Sequence, residues 1–313
     1  MPQYDKKTLN KVARETGFSR DTFEKVLRLK EILTFFNQHN LLSQKLMLKG
    51  GTAINLAIFN LPRLSVDIDL DFSENLSKEE TQENRKQITD IISRYMTSEG
   101  YSLSPDSRLS HSLDSFHFKY QNAAGNQDMI KIEINYSLRS HLFPMEQREI
   151  LPDIFGEKIS VSILSPIEIF AAKTNALIDR HAPRDLYDFN NMVDMGLFGE
   201  EQDLFRKSII FYHTMTAKNI SLDFDLSGLK KLTFSKIRSE LFPVLNTHEH
   251  FDLEVRLSNA SDYIRNLMST MTNDERKYLE SFISGKYQPE LLFDDPQIIG
   301  RIIRHPMALW RCP

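Results

Sequence analysis

Residues 46–72, LMLKGGTAINLAIFNLPRLSVDIDLDF, decide how this chain is read. Leu46 to Leu48 form a short apolar strand that runs into a Gly50-Gly51-Thr52 turn. Two adjacent glycines let a backbone approach a ligand closely, and the free N–H groups of a helix that follows favour an anion such as phosphate. That helix is expected over Ala53 to Phe59, followed by a linker with Pro62 and Arg63, then a second strand from Ser65 to Phe72. In the second strand Val66, Ile68, Leu70 and Phe72 alternate with Asp67, Asp69 and Asp71, so the three carboxylates share one face. Carboxylates in such a row repel one another, and a divalent cation is the simplest counter-charge. An exposed strand edge carrying solubilising charge is the plainer explanation of a D-x-D run. The phosphate-suited turn just before it argues for the metal.

The rest of the chain sets bounds. Its 313 residues suffice for one large or two ordinary domains, and 41% hydrophobic with 26% charged residues is the balance of a soluble globular protein. The opening MPQYDKK leads into no apolar region, so no signal peptide is expected, and no run of about 18 apolar residues exists to cross a bilayer. Cys312 is the only cysteine, which excludes a disulfide or a cysteine-based metal site within one chain and makes cytoplasmic residence the expectation. The net charge of −4 is unevenly spread: residues 1–50 hold ten Lys or Arg against five acids, and residues 296–313 hold Arg301, Arg304 and Arg311 with no acid. A basic patch built from these segments could hold an RNA backbone; a solvated face is the alternative.

Helical spacing is clear over residues 8–36, with a break at Gly17-Phe18-Ser19. VARETGFSRDTFEKVLRL has the outline of a helix-turn-helix, which leaves open a DNA-binding regulator using residues 8–36; the alternative is a helical pair packed on the rest of the domain. Leu76 to Glu99 is an amphipathic helix capped by Ser77 or Asn75 and stopped by Gly100. A hairpin is expected from Ser115–Tyr120 and Met129–Tyr136, joined by a turn at Asn122 to Asn126. Its second arm puts Lys131, Glu133 and Asn135 on one face, and Glu133 joins Asp67 and Asp69 if the two strands are neighbours. After a strand at Lys158–Ile163, Ser165-Pro166-Ile167-Glu168 predicts a helix start with a capping box. Lys173 lies in that helix among Ile169, Phe170, Ala176 and Leu177, with Arg180 seven residues on. Such a lysine either snorkels to the surface or aims its charge at an anion in a cleft. The next helix opens at Pro183 with RDLYDF, placing Asp185 and Asp188 on one face and Arg184 within i,i+4 reach of Asp188. From Glu200 onward the pattern is helical, with Thr272 capping a helix that ends before Gly285.

Lys49-Gly50-Gly51-Thr52, then Arg63-x-Ser65-x-Asp67-x-Asp69-Leu70-Asp71-Phe72, resembles the AbiEii-type abortive-infection toxin nucleotidyltransferases, part of the DNA polymerase β-like nucleotidyltransferase superfamily. Lys173-x₆-Arg180-x₂-Pro183-Arg-Asp185-Leu-Tyr-Asp188-Phe189 is similar to the later motifs of that family. The resemblance implies an α/β (α+β) fold in which a small mixed sheet carries the carboxylates. Residues 1–164 would be amino-terminal helices plus the catalytic core, and 165–313 a mainly helical domain completing the cleft. It implies an enzyme that moves a nucleoside monophosphate from an NTP to an acceptor, with Asp67, Asp69 and Glu133 holding two Mg2+ ions. Gly50, Gly51, Thr52, Ser65, Lys173 and Arg180 would bind the nucleotide, and Lys173 and Asp185 would be essential to catalysis. An RNA acceptor such as the tRNA acceptor end, a separate antitoxin and no membrane partner are implied in the same way. A small-molecule nucleotidyltransferase of the antibiotic-modifying kind would share this metal chemistry and differ in its acceptor pocket.

Overall fold

The alternation of Asp67–Phe72 (β2) is realised as a central strand: Ile68, Leu70 and Phe72 are buried, while Asp67 and Asp69 remain partly open. The computed structural model describes residues 4–152, 156 and 158–313. On one side β2 pairs antiparallel with Leu46–Lys49 (β1), Leu48 opposite Leu70 and Lys49 opposite Asp69. On the other it pairs parallel with Gln127–Asn135 (β6), Ile68 opposite Ile132 and Asp69 opposite Glu133. The remaining strands are Ser102–Leu103 (β3), Arg108–Leu109 (β4), Leu113–Gln121 (β5), Glu146–Glu149 (β7) and Ser160–Ile163 (β8). Their order is β3-β5-β6-β2-β1-β8-β7, with β4 on β5, a mixed eight-stranded sheet. The expected hairpin is β5–β6, Ser115 opposite Glu133 and His117 opposite Lys131.

The chain forms two compact units, and neither is a continuous stretch. The first comprises residues 1–139, 145–164 and 243–248; the second comprises 140–144, 165–242 and 249–313. The first unit holds the sheet and the helices Lys6–Thr16 (α1), Arg20–Gln38 (α2), Asn40–Lys45 (α3), Gly50–Ala53 (α4) and Lys78–Ser98 (α5). Ser77 and Glu80 close the capping box that starts α5. The helix expected over Ala53–Phe59 begins earlier, at Gly50, and passes into a π-helical turn at Ile54–Ile58, a register change of the kind that often marks functional segments. The outlying segment 243–248 is tied in by backbone: Leu64 N–H donates to the Val244 carbonyl (2.8 Å) and Thr247 N–H to the Gly17 carbonyl (3.0 Å).

The helix-turn-helix outline corresponds to α1, a left-handed Gly17 and α2, with α2 packed as a core helix of the sheet unit. Phe23, Val26, Leu29, Ile32, Leu33 and Phe36 bury α2 in the core. Three of its four cations are engaged: Arg20 with Asp21 (2.6 Å), Lys25 with Asp128 (2.7 Å), and the buried Arg28 with Glu24 (2.6 Å) and the ring face of Tyr120. Of the ten basic residues in 1–50, six hold ion pairs with described residues: these three with Lys11, Lys45 and Lys49. Most of the local positive excess is therefore neutralised within the fold.

The second unit is helical: Pro166–Arg180 (α6), Pro183–Asp194 (α7), Gln202–Thr216 (α8), Phe234–Glu240 (α9), Leu253–Ser269 (α10), Asn273–Ile283 (α11), Pro296–Ile302 (α12) and Pro306–Arg311 (α13). Pro166 at the first turn starts α6 as predicted, but the capping box does not form. Glu168 turns inward, fully buried, and accepts from Leu142 N–H (2.7 Å), Phe143 N–H (3.2 Å) and the Tyr212 hydroxyl (2.9 Å). A buried carboxylate needs several donors, and segment 140–144 supplies two of them. Thr272 caps α11 as expected, and with Glu275 it closes a capping box. No described helix is long and apolar enough to cross a membrane.

Candidate active site

The glycine pair and the acidic strand fold onto each other. Gly50 adopts φ +65°, and a Cβ there would lie 2.8 Å from Asp69 Oδ2. A Cβ at Gly51 would lie 2.7 Å from Arg63 Nη2 and 2.9 Å from Ser65 Oγ. Both glycines are therefore fixed by the close approach of β2 and its lead-in, independently of any ligand. Thr52 is fully buried; its hydroxyl donates to the Asp67 carbonyl and sits 2.9 Å from Ser65 Oγ, whose own hydroxyl can donate back to it. Its side chain and that of Ser65 thus register α4 against the start of β2. Arg63, 2% exposed, donates to the Leu64 carbonyl (2.9 Å).

On the carboxylate face, strand register brings Asp69 and Glu133 side by side, with Lys49 opposite Asp69 on the far strand. Burial pushes the Asp69 carboxyl above its ordinary range; Lys49 opposes that shift, and the neighbouring charges of Asp67 and Glu133 add to it. Asp71, in the same row by sequence, is 1% exposed and forms an ion pair with Lys49. Glu133 Oε1 accepts from Ser115 Oγ (3.0 Å) and pairs with Lys131 Nζ (2.9 Å). Two of the four acids on this face thus have a lysine counter-ion, and Asp67 and Asp69 are the pair presented together. Ser115 and Lys131 were not among the expected site residues, although Lys131 sits two positions before Glu133 on the same strand face.

The second group of expected residues belongs to the helical unit. Lys173 neither snorkels nor stands open: it is 7% exposed, and its ammonium lies 2.9 Å from Asp185 Oδ1 and 3.0 Å from Asp188 Oδ2. Arg180 forks onto Asp185, Nε to Oδ2 at 2.6 Å and Nη2 to Oδ1 at 3.0 Å, while its side chain stays 63% exposed. Burial alone would raise the Asp185 carboxyl; Lys173 and Arg180 outweigh it and hold the group below the usual carboxylate range. Arg184, a candidate partner for Asp188, donates to the Glu240 carbonyl (2.8 Å). The structure thus gathers Gly50, Gly51, Thr52, Ser65, Asp67, Asp69 and Glu133 in the sheet unit, and Lys173, Arg180 and Asp185 in the helical unit.

A mixed sheet whose central strand carries two aspartates beside a glycine-led helix is the architecture of a nucleotidyltransferase. Residues 32–281 match the family model described as "Nucleotidyl transferase AbiEii toxin, Type IV TA system", and the chain belongs to that family of toxin enzymes. Its fold is similar to that of MenT4, a nucleotidyltransferase toxin from Mycobacterium tuberculosis H37Rv, with TM-score 0.62 and 13% identity over 96% of this chain and 98% of that one. At that identity the likeness speaks for the fold. No curated protein matches the sequence.

Proposed function

We propose that this nucleotidyltransferase moves a nucleoside monophosphate from an NTP to the hydroxyl of an RNA acceptor, such as the acceptor end of tRNA, releasing pyrophosphate and acting as a toxin countered by a separate antitoxin. The observation that carries the reading is the Asp67–Asp69 pair: two strand carboxylates beside the glycine-led α4, with Asp69 kept from ionising freely by burial and by its acidic neighbours. The donor set suits magnesium. Among the described residues no three acid, histidine or cysteine side chains are gathered to enclose a metal alone. Magnesium takes one or two protein carboxylates and completes its shell with water and substrate phosphates. Bound by Asp67 and Asp69, joined by Glu133 once its contact with Lys131 opens, the ions would lower the pKa of the attacking hydroxyl and neutralise the leaving pyrophosphate.

The chain's own groups divide the remaining work. Gly50 and Gly51 give the phosphates a backbone with no side chain in the way, and Thr52 and Ser65 hold that backbone against β2. Arg180 offers the exposed cation of the helical cluster, and Asp185, itself held by Lys173, orients its guanidinium for a phosphate. Lys173 and Asp185 therefore serve as positioning residues for the Arg180 guanidinium in this reading. Incubation with each labelled NTP, total cellular RNA and magnesium tests the proposal. Label made acid-insoluble and sensitive to ribonuclease is expected. Label recovered on a small molecule or on protein would replace RNA as the acceptor, and transfer that survives chelation would remove the metal.

A further inference from the structure

The acidic face carries its own cations, and one of them is placed for exchange. Strand register lays out two rows across the sheet. One runs Lys49, Asp69, Glu133, Ser115; the next runs Asp67, Lys131, His117. Lys131 therefore stands beside Asp67 in its own row and reaches across to Glu133, 2.9 Å away. Burial would lower its ammonium pKa, but the Glu133 contact and the charges of Asp67 and Asp69 raise it instead, so this cation feels three carboxylates at once. Unlike Lys49, whose partner Asp71 is sealed at 1% exposure, Lys131 and Glu133 keep 35% and 24% of their side-chain surface. A pair that open to water is weakly held. It also occupies Glu133 Oε1, which Ser115 already engages, so Glu133 points its charge at lysine rather than at a site shared with Asp67 and Asp69.

We propose that Lys131 is an exchangeable counter-ion of this face: it holds Glu133 in the nucleotide-free enzyme and moves to the triphosphate when a divalent cation takes the carboxylates. The inference rests on the metal-dependent reading above. Its logic is charge balance. A divalent ion beside Asp67 and Asp69 repels the ammonium and attracts Glu133, and the polyphosphate that accompanies it is the nearest new anion. Lysine suits the exchange because its point charge rides on a flexible stem and needs no fixed fork of partners.

Titration calorimetry on the full chain with Mn2+ alone, then with magnesium tripolyphosphate, tests this without reference to base or acceptor. Lys131→Met keeps the stem, so the strand should remain packed; Lys131→Gln serves if it does not, and Lys131→Arg keeps the charge. With the competing cation gone, Lys131→Met should bind Mn2+ roughly three- to tenfold more tightly than wild type. It should bind magnesium tripolyphosphate about fivefold or more weakly, and Lys131→Arg should stay near wild type for Mn2+. Equal or weaker Mn2+ binding by both charge-free variants, with Asp69→Asn abolishing it, overturns the exchange alone. Unchanged tripolyphosphate binding does the same. A wild-type chain that binds no Mn2+, or an Asp69→Asn chain that binds it normally, brings down the metal reading and this inference together.

Discussion

At the scale of single residues, Asp69 and Gly50 make opposite demands on stability. An acid whose pKa is raised on folding binds its proton more tightly in the folded chain, so stability falls as pH climbs from the ordinary value of 3.8 through the folded value. The cost grows as pH rises from the ordinary value towards the folded one, and Asp69→Asn removes it. That variant should melt at or above the wild-type temperature at pH 7, with the difference closing below about pH 4. Its transfer activity should fall by at least about a hundredfold, because the carboxylate serves the metal. Magnesium should raise the melting temperature of wild type and not of Asp69→Asn, since only a chain that binds the ion gains by mass action. A variant that melts well below wild type at pH 7, or responds to magnesium as wild type does, would contradict this assignment. Gly50→Ala is the converse. A left-handed backbone costs an L-residue about 1–2 kcal/mol, and the new methyl would meet Asp69 Oδ2 at 2.8 Å. Thermal melts should show the lost stability, and Mn2+ titration should show weakened binding because Asp69 is pushed aside.

At the scale of elements, the long periodic segments were legible and the short irregular ones were not. The alternation in β2 and β6 and the 3.6-residue stripes of α5, α6 and α7 carry their own signal. Strands β3, β4 and β7 are two to four residues long, too short for a period to show. The turn of π-helix at Ile54–Ile58 was equally invisible, since its residues read as an ordinary apolar helix. Lys173 shows the limit best. Its apolar surroundings in α6 were readable, but its partners lie on α7, and only the packing of the two helices decides that the ammonium meets Asp185 and Asp188. That changes what Lys173→Met should do. A snorkelling lysine would make the change neutral or slightly stabilising. Here it leaves two buried carboxylates short of a cation, and removing one partner of a buried pair costs about 3–5 kcal/mol. Adding Asp188→Leu should recover part of the loss, and denaturant melts of the single and double variants decide the matter; a wild-type midpoint for the single variant would return Lys173 to the surface. Because the Asp185 carboxyl is held low, its contribution is present above the ordinary pKa of 3.8 and is lost as pH falls through its folded value. The destabilisation of Lys173→Met should therefore shrink on acidification below about pH 4.

At the scale of the whole molecule, a division at residues 164 and 165 read from the resemblance leaves out how the chain is threaded. The sheet unit takes back residues 243–248, PVLNTH, a segment with no periodicity to announce its destination. Its bonds are specific. Besides the backbone ties to Leu64 and Gly17, Asn246 Nδ2 donates to the Thr16 carbonyl (2.6 Å), Leu245 bridges to Arg63, and Val244 and Leu245 are buried. Arg63 and Leu64 lie between α4 and β2, so the returning segment braces the lead-in to the carboxylate strand. A fragment of residues 1–164 would lose two buried aliphatic side chains, each worth about 1.5–3 kcal/mol. It would also lose three hydrogen bonds worth roughly 1 kcal/mol each. That sum is comparable to the whole stability of an ordinary domain, about 5–15 kcal/mol. The fragment should be poorly soluble or should unfold without a cooperative transition, and fusing residues 243–248 to its end through a flexible linker should restore part of the cooperativity. Within the full chain, Leu245→Asp should lower both the melting temperature and Mn2+ binding, since a carboxylate would replace a buried aliphatic side chain and the lead-in to β2 would loosen. A 1–164 fragment that unfolds cooperatively near the midpoint of the full chain would show that the brace is dispensable, and that the sheet unit folds from contiguous sequence after all.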